Sequence, residues 1–171
     1  MHSTEKVTEI AKKIKLLILD IDGVLTDGGI YFDDTGKELK KFNSLDGHGI
    51  NMLLSSGIEV GVITARSTSS VSYRLKDLGV KHYYHGISDK SIALTELTDK
   101  LSIELSQVCY VGDDVIDLTV MTKVALPIAV ANAHSFVKEH SMLVSEKCGG
   151  SGAVREVCDF LLKSQGKYDA L

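Results

Sequence analysis

Acidic residues cluster at two places in this sequence where a short apolar run ends. Asp20-Ile-Asp22 closes one run, and Asp113-Asp114, with Asp117 beyond them, follows another; Thr64 and Arg66 close a third run, and Lys90 lies between. Carboxylates, a hydroxyl and a lysine suit phosphoryl transfer. A phosphate monoester is an anion, so a carboxylate nucleophile needs its charge compensated. Mg²⁺ does this with oxygen ligands in octahedral geometry and retained water. Two carboxylates and a backbone carbonyl would hold it. Asp20 is then expected to attack phosphorus and form an acyl phosphate. Asp22 is placed to protonate the leaving oxygen and afterwards to activate water. Thr64, nearby backbone N–H groups and Lys90 would hold the phosphoryl oxygens. Singly, each feature is ordinary, since Asp-x-Asp is common in turns and Gly-Asp-Asp can cap a helix. The argument rests on their joint arrangement.

That arrangement requires strands ending together. Lys15–Leu19 reads as a buried parallel strand. Ile30–Phe32 and a second stretch reaching Phe42, parted by Asp33-Asp-Thr-Gly36, predict a hairpin excursion over about 29–42. Helix and strand then alternate. Strands are expected at 59–64, 81–85, 108–111, 126–130 and 142–144. Helices are expected at 5–13 (capped by Thr4), 47–56, 68–78, from a Ser88 cap to 101, 115–123, 133–140 and 152–165. Such alternation predicts an α/β, Rossmann-like parallel sheet with helices on both faces, with ligands bound beyond the carboxyl ends of its strands. Residues 1–171 read as a single domain.

Composition narrows the function classes. Of 171 residues, 44% are hydrophobic and 25% charged, the balance of an ordinary globular chain. A formal charge of −4 and the lack of a long basic run argue against nucleic acid. No run approaches the roughly 20 apolar residues of a membrane span, and the charged N-terminus does not read as a signal peptide. The expectation is a soluble, cytoplasmic protein with Cys109, Cys148 and Cys158 as free thiols. The histidines lack metal-ligand spacing, with His48 and His85 the best placed to lie near the site. Gly149–Gly152 suggests a flexible mouth or a subunit contact, and Tyr83-Tyr84 suggests packing within a strand.

Asp20-Ile-Asp-Gly-Val-Leu-Thr26, Ile63-Thr-Ala-Arg66, Lys90 and Gly112-Asp-Asp-Val-Ile-Asp117 resemble the four motifs of the haloacid dehalogenase-like phosphatases. Leu25-Thr-Asp-Gly28, Phe42-Asn43 with Asp46-Gly47, Ala131-Asn-Ala-His134 and above all Gly149-Gly-Ser-Gly-Ala-Val-Arg-Glu-Val-Cys-Asp159 are similar to the 3-deoxy-D-manno-octulosonate 8-phosphate (KDO 8-phosphate) phosphatase family. The resemblance implies Asp20 as nucleophile, Asp22 as acid and base, and Mg²⁺ held by Asp20, the Asp22 carbonyl and Asp113. Asp114 and Asp117 would support that shell. It implies a minimal cap, the hairpin alone, in a homotetramer whose neighbouring subunits cover the site. Substrate contacts would come from Asp22, Lys90, Arg66, Arg74 and the loop Asn43, Ser44, Leu45, Asp46 and Gly47. Two arginines suit a sugar acid because a guanidinium grips a carboxylate in two places. Leu45 departs from the pattern, standing where a basic residue is usual, and keeps a sialic-acid-type 9-phosphate open as substrate. Ala65 replaces a commoner glycine. A non-catalytic interaction module would have lost Asp20, Asp22, Lys90 or Asp113, and all four are present.

Overall fold

In the computed structural model, which describes residues 4–170, four consecutive apolar side chains make β1 (Leu16–Leu19) the centre of the sheet. All four are fully buried, as a strand covered on both faces must be. The other strands of this sheet are β4 (Glu59–Ile63), β5 (His82–Tyr84), β6 (Val108–Gly112), β7 (Leu126–Ala129) and β8 (Leu143–Val144). Their order is β5-β4-β1-β6-β7-β8, and every neighbouring pair is parallel. The order reverses direction at β1, so the loops after β1, β4 and β6 open side by side. β1 pairs with β6, Leu19 opposite Val111, which sets the loops carrying Asp20 and Asp113 side by side.

Helices α1 (Thr4–Ala11), α2 (Ser44–Ser55) and α7 (Ala153–Ser164) pack together on the sheet, while α4 (Lys90–Leu101) and α5 (Leu118–Met121) pair against its other face. α3 (Ser69–Asp77) links β4 to β5, and α6 (Ser135–Glu139) follows β7. Gly61 in β4 admits α4 closely, since a Cβ there would lie 2.7 Å from Leu97. The hairpin is a separate two-stranded sheet, β2 (Tyr31–Phe32) and β3 (Glu38–Leu39), rooted by a bridge between Thr26 and Phe42.

Several boundaries differ from the sequence expectation. α2 begins at Ser44, three residues early, because Asn43 Oδ1 accepts the N–H groups of Leu45 at 2.8 Å and Asp46 at 3.4 Å. Asn43–Gly47 is therefore a cap and first helical turn rather than a loop. Asp89, not Ser88, caps α4, accepting the Ser91 N–H at 2.9 Å. The expected helix over 115–123 is a tight turn, Val115–Asp117, followed by the short α5. The paired stretches of the hairpin are two residues each, much shorter than the pattern suggested. The Thr4 side chain, expected as a cap, lies outside the described residues, as does His2.

Candidate active site

β1, β4 and β6 are apolar to their last residue and polar just beyond it, which delivers Asp20, Thr64 and Asp113 to one end of the sheet. Asp20, Asp22, Thr64, Ala65, Arg66, Lys90, Asp113 and Asp114 line a common cavity of about 310 Å³, with Gly28, Ile30 and Ile116 at its wall. A larger groove, about 630 Å³, holds Leu45 and much of α7. None of the carboxylates gathered beyond β1 and β6 lines it, so it is not where this chemistry resides.

Lys90 opens α4 and is almost completely buried. Its ammonium donates to Asp20 Oδ1 and Asp117 Oδ1, both at 2.7 Å, and to the Tyr110 hydroxyl at 3.3 Å. Tyr110 in turn donates to Asp117 Oδ1 at 2.7 Å. Asp117 Oδ2 accepts the N–H groups of Asp113 at 2.9 Å and Asp114 at 3.2 Å. Four bonds use the acceptor sites of the Asp117 carboxylate. Asp117 is thus the hub that aims Lys90 and braces the Asp113 loop. Asp114 caps the turn behind it through the Val115 N–H at 2.7 Å.

One carboxylate oxygen from each of Asp20, Asp113 and Asp117 falls within 4.8 Å of the others. Burial pushes Asp20 up to about 6, against the pull of Lys90, with Asp117 adding to the rise. Burial, then the charges of Asp20 and Asp117, push Asp113 up to about 8. Lys90 moves up despite its burial, because Asp20 and Asp117 hold its charge. Three carboxylates thus share a single ammonium, and the cage is short of positive charge. Its free oxygens are hard donors of the kind a divalent cation such as Mg²⁺ prefers, so the residues fit such an ion.

The loop from Asp20 to Gly28 is stapled by Thr26. Its hydroxyl donates to the Ile21 carbonyl and accepts the Gly23 and Gly28 N–H groups, each at 3.3 Å. Gly23 has φ of +88°, and a Cβ there would lie 2.0 Å from Asp113 Oδ2. Glycine lets the loop approach Asp113 and take that left-handed turn. Gly149 and Gly150, for which the sequence suggested a flexible mouth or a subunit contact, are buried beneath this loop. Gly149 N–H donates to Asn132 Oδ1 and Gly150 N–H to the Val24 carbonyl, both at 2.9 Å. A Cβ on Gly149 would meet the Gly23 carbonyl oxygen at 1.7 Å. The absence of side chains here permits backbone-on-backbone packing, not motion.

The remaining expected contacts divide. Arg66 lies at the cavity, its Nη2 bonded to Glu38 at 2.8 Å. Thr64 Oγ1 accepts the Arg66 N–H at 3.3 Å. Asn43, Ser44, Leu45, Asp46, Gly47 and Arg74 are not among the lining residues of that cavity. The helical start of α2 turns them elsewhere: Asp46 is buried, and its Oδ1 accepts the Arg155 N–H at 2.8 Å, capping α7 from a distance. Arg74 pairs with Asp77 at 2.9 Å and lies so close over Gly47 that a Cβ there would be 2.2 Å from its Nη2. His48 borders a different hollow with Tyr168, and the His85 ring stacks on Tyr83 at 4.8 Å. Tyr83 and Tyr84 pack against the core as expected, and all three cysteines are free.

Sequence reasoning did not find Tyr110, Lys40 or Glu38. Tyr110 sits inside an apolar run and reads as core. Lys40 and Glu38 belong to the hairpin, where charges read as solvated. Their spacing of two in an extended stretch was the available signal.

The chain, a parallel sheet with a carboxylate cage at its switch point, is similar to the haloacid dehalogenase-like hydrolases, a family model of that description matching residues 84–156. A 3-deoxy-D-manno-octulosonate 8-phosphate phosphatase from Salmonella typhi is 52% identical over 98% of this chain and 88% of its own. The crystal structure of the phosphatase of that name from Yersinia pestis matches with TM-score 0.95 and 45% identity, covering 96% of this chain and 89% of that one. The Moraxella catarrhalis phosphatase, solved with magnesium, phosphate and KDO, matches with TM-score 0.96 and 42% identity over 98% and 97% of the two chains. The chain belongs to the family of these 3-deoxy-D-manno-octulosonate 8-phosphate phosphatases, and is a phosphoric monoester hydrolase.

Proposed function

We propose that the chain, acting as one domain, hydrolyses KDO 8-phosphate to KDO and inorganic phosphate with Mg²⁺, as a step in lipopolysaccharide precursor synthesis in the cytoplasm. The observation that carries this reading is the cage itself. Asp20 is buried, held by Lys90, beside Asp113 and next to Asp22 at the cavity, in a chain whose near full-length relatives bear that activity in their names.

An Asp20 carboxylate oxygen attacks phosphorus, and the bond from phosphorus to the sugar oxygen breaks. Asp22 gives that oxygen its proton. Asp22 then takes a proton from water, whose oxygen attacks the phosphorus and frees the Asp20 carboxylate. Lys90 fixes one Asp20 oxygen, and Thr64 and Lys90 hold phosphoryl oxygens as charge develops on them. Asp20, the Asp22 carbonyl and Asp113 would hold Mg²⁺, which supplies the charge that lets two anions meet. Asp117 positions Lys90, and Asp114 holds the loop. Arg66 offers its fork to the sugar carboxylate.

A homotetramer accounts for the residues that point away from the site. Ile30, Phe32 and Leu39 of the hairpin are exposed, a costly display for a lone chain. Packing hairpins together would cover them and bring Asn43–Gly47 and Arg74 of one subunit toward the cavity of another. Exposed Leu45, standing where the resemblance expects a basic residue, keeps one second reading open, a sialic-acid-type 9-phosphate.

Phosphate release in Mg²⁺ should be measured with KDO 8-phosphate, a sialic acid 9-phosphate, hexose phosphates and p-nitrophenyl phosphate. A kcat/KM for KDO 8-phosphate at least about tenfold above the rest, and loss of all turnover in Asp20→Asn, is the expected result. Preference for the nine-carbon acid would move the substrate, and turnover by Asp20→Asn would overturn the mechanism.

A further inference from the structure

Glu38 and Lys40 stand two residues apart at β3, so their side chains leave the same face of the hairpin. The Lys40 side chain is only 2% exposed, which for a lysine demands partners. It has two: its ammonium donates to Asp22 Oδ1 and to Glu38 Oε1, the latter at 3.0 Å. The second oxygen of Glu38 accepts Arg66 Nη2 at 2.8 Å. Four charges of alternating sign therefore run Asp22, Lys40, Glu38, Arg66. The two ends line the cavity, and the two middle members stand behind its wall.

The stoichiometry of these bonds matters. Lys40 engages one oxygen of Asp22, and Glu38 engages one nitrogen of a guanidinium that carries five N–H donors. Each end of the relay is fixed by part of its bonding capacity, with the rest turned over to whatever occupies the cavity. Both hairpin residues also come from one short stretch, β3 and the residue after it, so the acid/base group and the cavity-rim cation are held at a set separation.

We propose that Lys40 and Glu38 are positioning residues for the hydrolysis, Lys40 orienting Asp22 for proton transfer and Glu38 orienting Arg66 toward an anionic group at the far end of the substrate. The second half rests on the sugar-acid reading above; the first does not. A latch that merely fastened the hairpin would affect every substrate alike. Positioning divides the effects, because misplacing an acid/base group lowers kcat, whereas misplacing a binding cation raises KM for the substrate that uses it.

The test compares Glu38→Gln, Lys40→Met and Lys40→Arg with the unaltered Mg²⁺-loaded enzyme, using KDO 8-phosphate and p-nitrophenyl phosphate, which has no carboxylate. Thermal melting checks the fold, and Lys40→Gln replaces Lys40→Met if the latter fails to fold. Glu38→Gln is expected to raise KM for KDO 8-phosphate about tenfold and to lower the kcat/KM ratio between the two substrates by a similar factor. Lys40→Met should lower kcat for KDO 8-phosphate by about 10- to 100-fold with KM kept, and Lys40→Arg should recover part of that loss. Equal losses on both substrates in Glu38→Gln overturn the Arg66 half. A kcat retained in Lys40→Met, or equally low in Lys40→Met and Lys40→Arg, overturns the Asp22 half. An unaltered enzyme without preference for KDO 8-phosphate fails the substrate reading by itself, before any variant is compared.

Discussion

Asp113 shows how a single residue can register the charge deficit of a site. Raised to about 8, its carboxyl keeps a proton at neutral pH unless a cation takes the proton's place. The same crowding, at its root burial, lifts Asp20 to about 6. Both groups hold protons in the folded chain at pH values where the unfolded chain has released them. Stability from this source is therefore complete below about pH 4 and lost as pH climbs through 6 and then 8. In EDTA, Tm is expected to fall between pH 5.5 and 8.5; with Mg²⁺ the fall should flatten, so that the gain from the ion grows with pH. A metal-free Tm that climbs over this range would contradict the assignment. Asp20, Asp22, Thr64 and Asp113 were legible in the sequence because each follows an apolar run at a strand end, and Lys90, at the start of a helix, stood out only beside them. Tyr110 was not, because its neighbours in β6 are all core residues. Only the fold reveals that its hydroxyl meets Asp117 and Lys90.

At the scale of elements, the start of α2 carries the clearest lesson. The sequence pattern placed the start of this helix at Gly47, and the resemblance made Asn43–Gly47 a substrate loop. Asn43 caps the helix three residues earlier, and the turn that follows buries Asp46 against the N-terminus of α7. A carboxylate there satisfies otherwise orphaned N–H groups. No local pattern reports a cap delivered across more than a hundred residues. Asp46→Ala is expected to lower the free energy of unfolding by about 1 kcal/mol, read by urea denaturation. A variant as stable as the unaltered chain would contradict the capping role. The strands fared better than this helix, since β1, β4 and β6 are buried on both faces and their apolar runs admit one reading.

For the whole molecule, the hairpin is the part whose surface does not suit a lone chain. Ile30 and Phe32 are more than half exposed, although Lys40 and Glu38 on the same excursion are tied into the site. Under the proposed tetramer, Phe32→Asp is expected to shift sedimentation toward smaller species and to lower turnover of the sugar phosphate. Sedimentation unchanged by that charge would place any assembly surface elsewhere. The parallel sheet was readable from alternation and strand length, whereas the floor beneath the Asp20–Gly28 loop was not, because two glycines reveal little about what they touch. That floor also bears on synthesis. Asp20 leaves the ribosome well before Gly149, so β1 waits for β6, and the Asp20–Gly28 loop waits for Gly149 and Gly150. At translation speeds of about 5–20 residues per second, the interval is on the order of ten seconds. A nascent chain, or a product of a broken message, can thus carry each of the acidic groups of the cage and still lack the floor that holds the Asp20 loop in place.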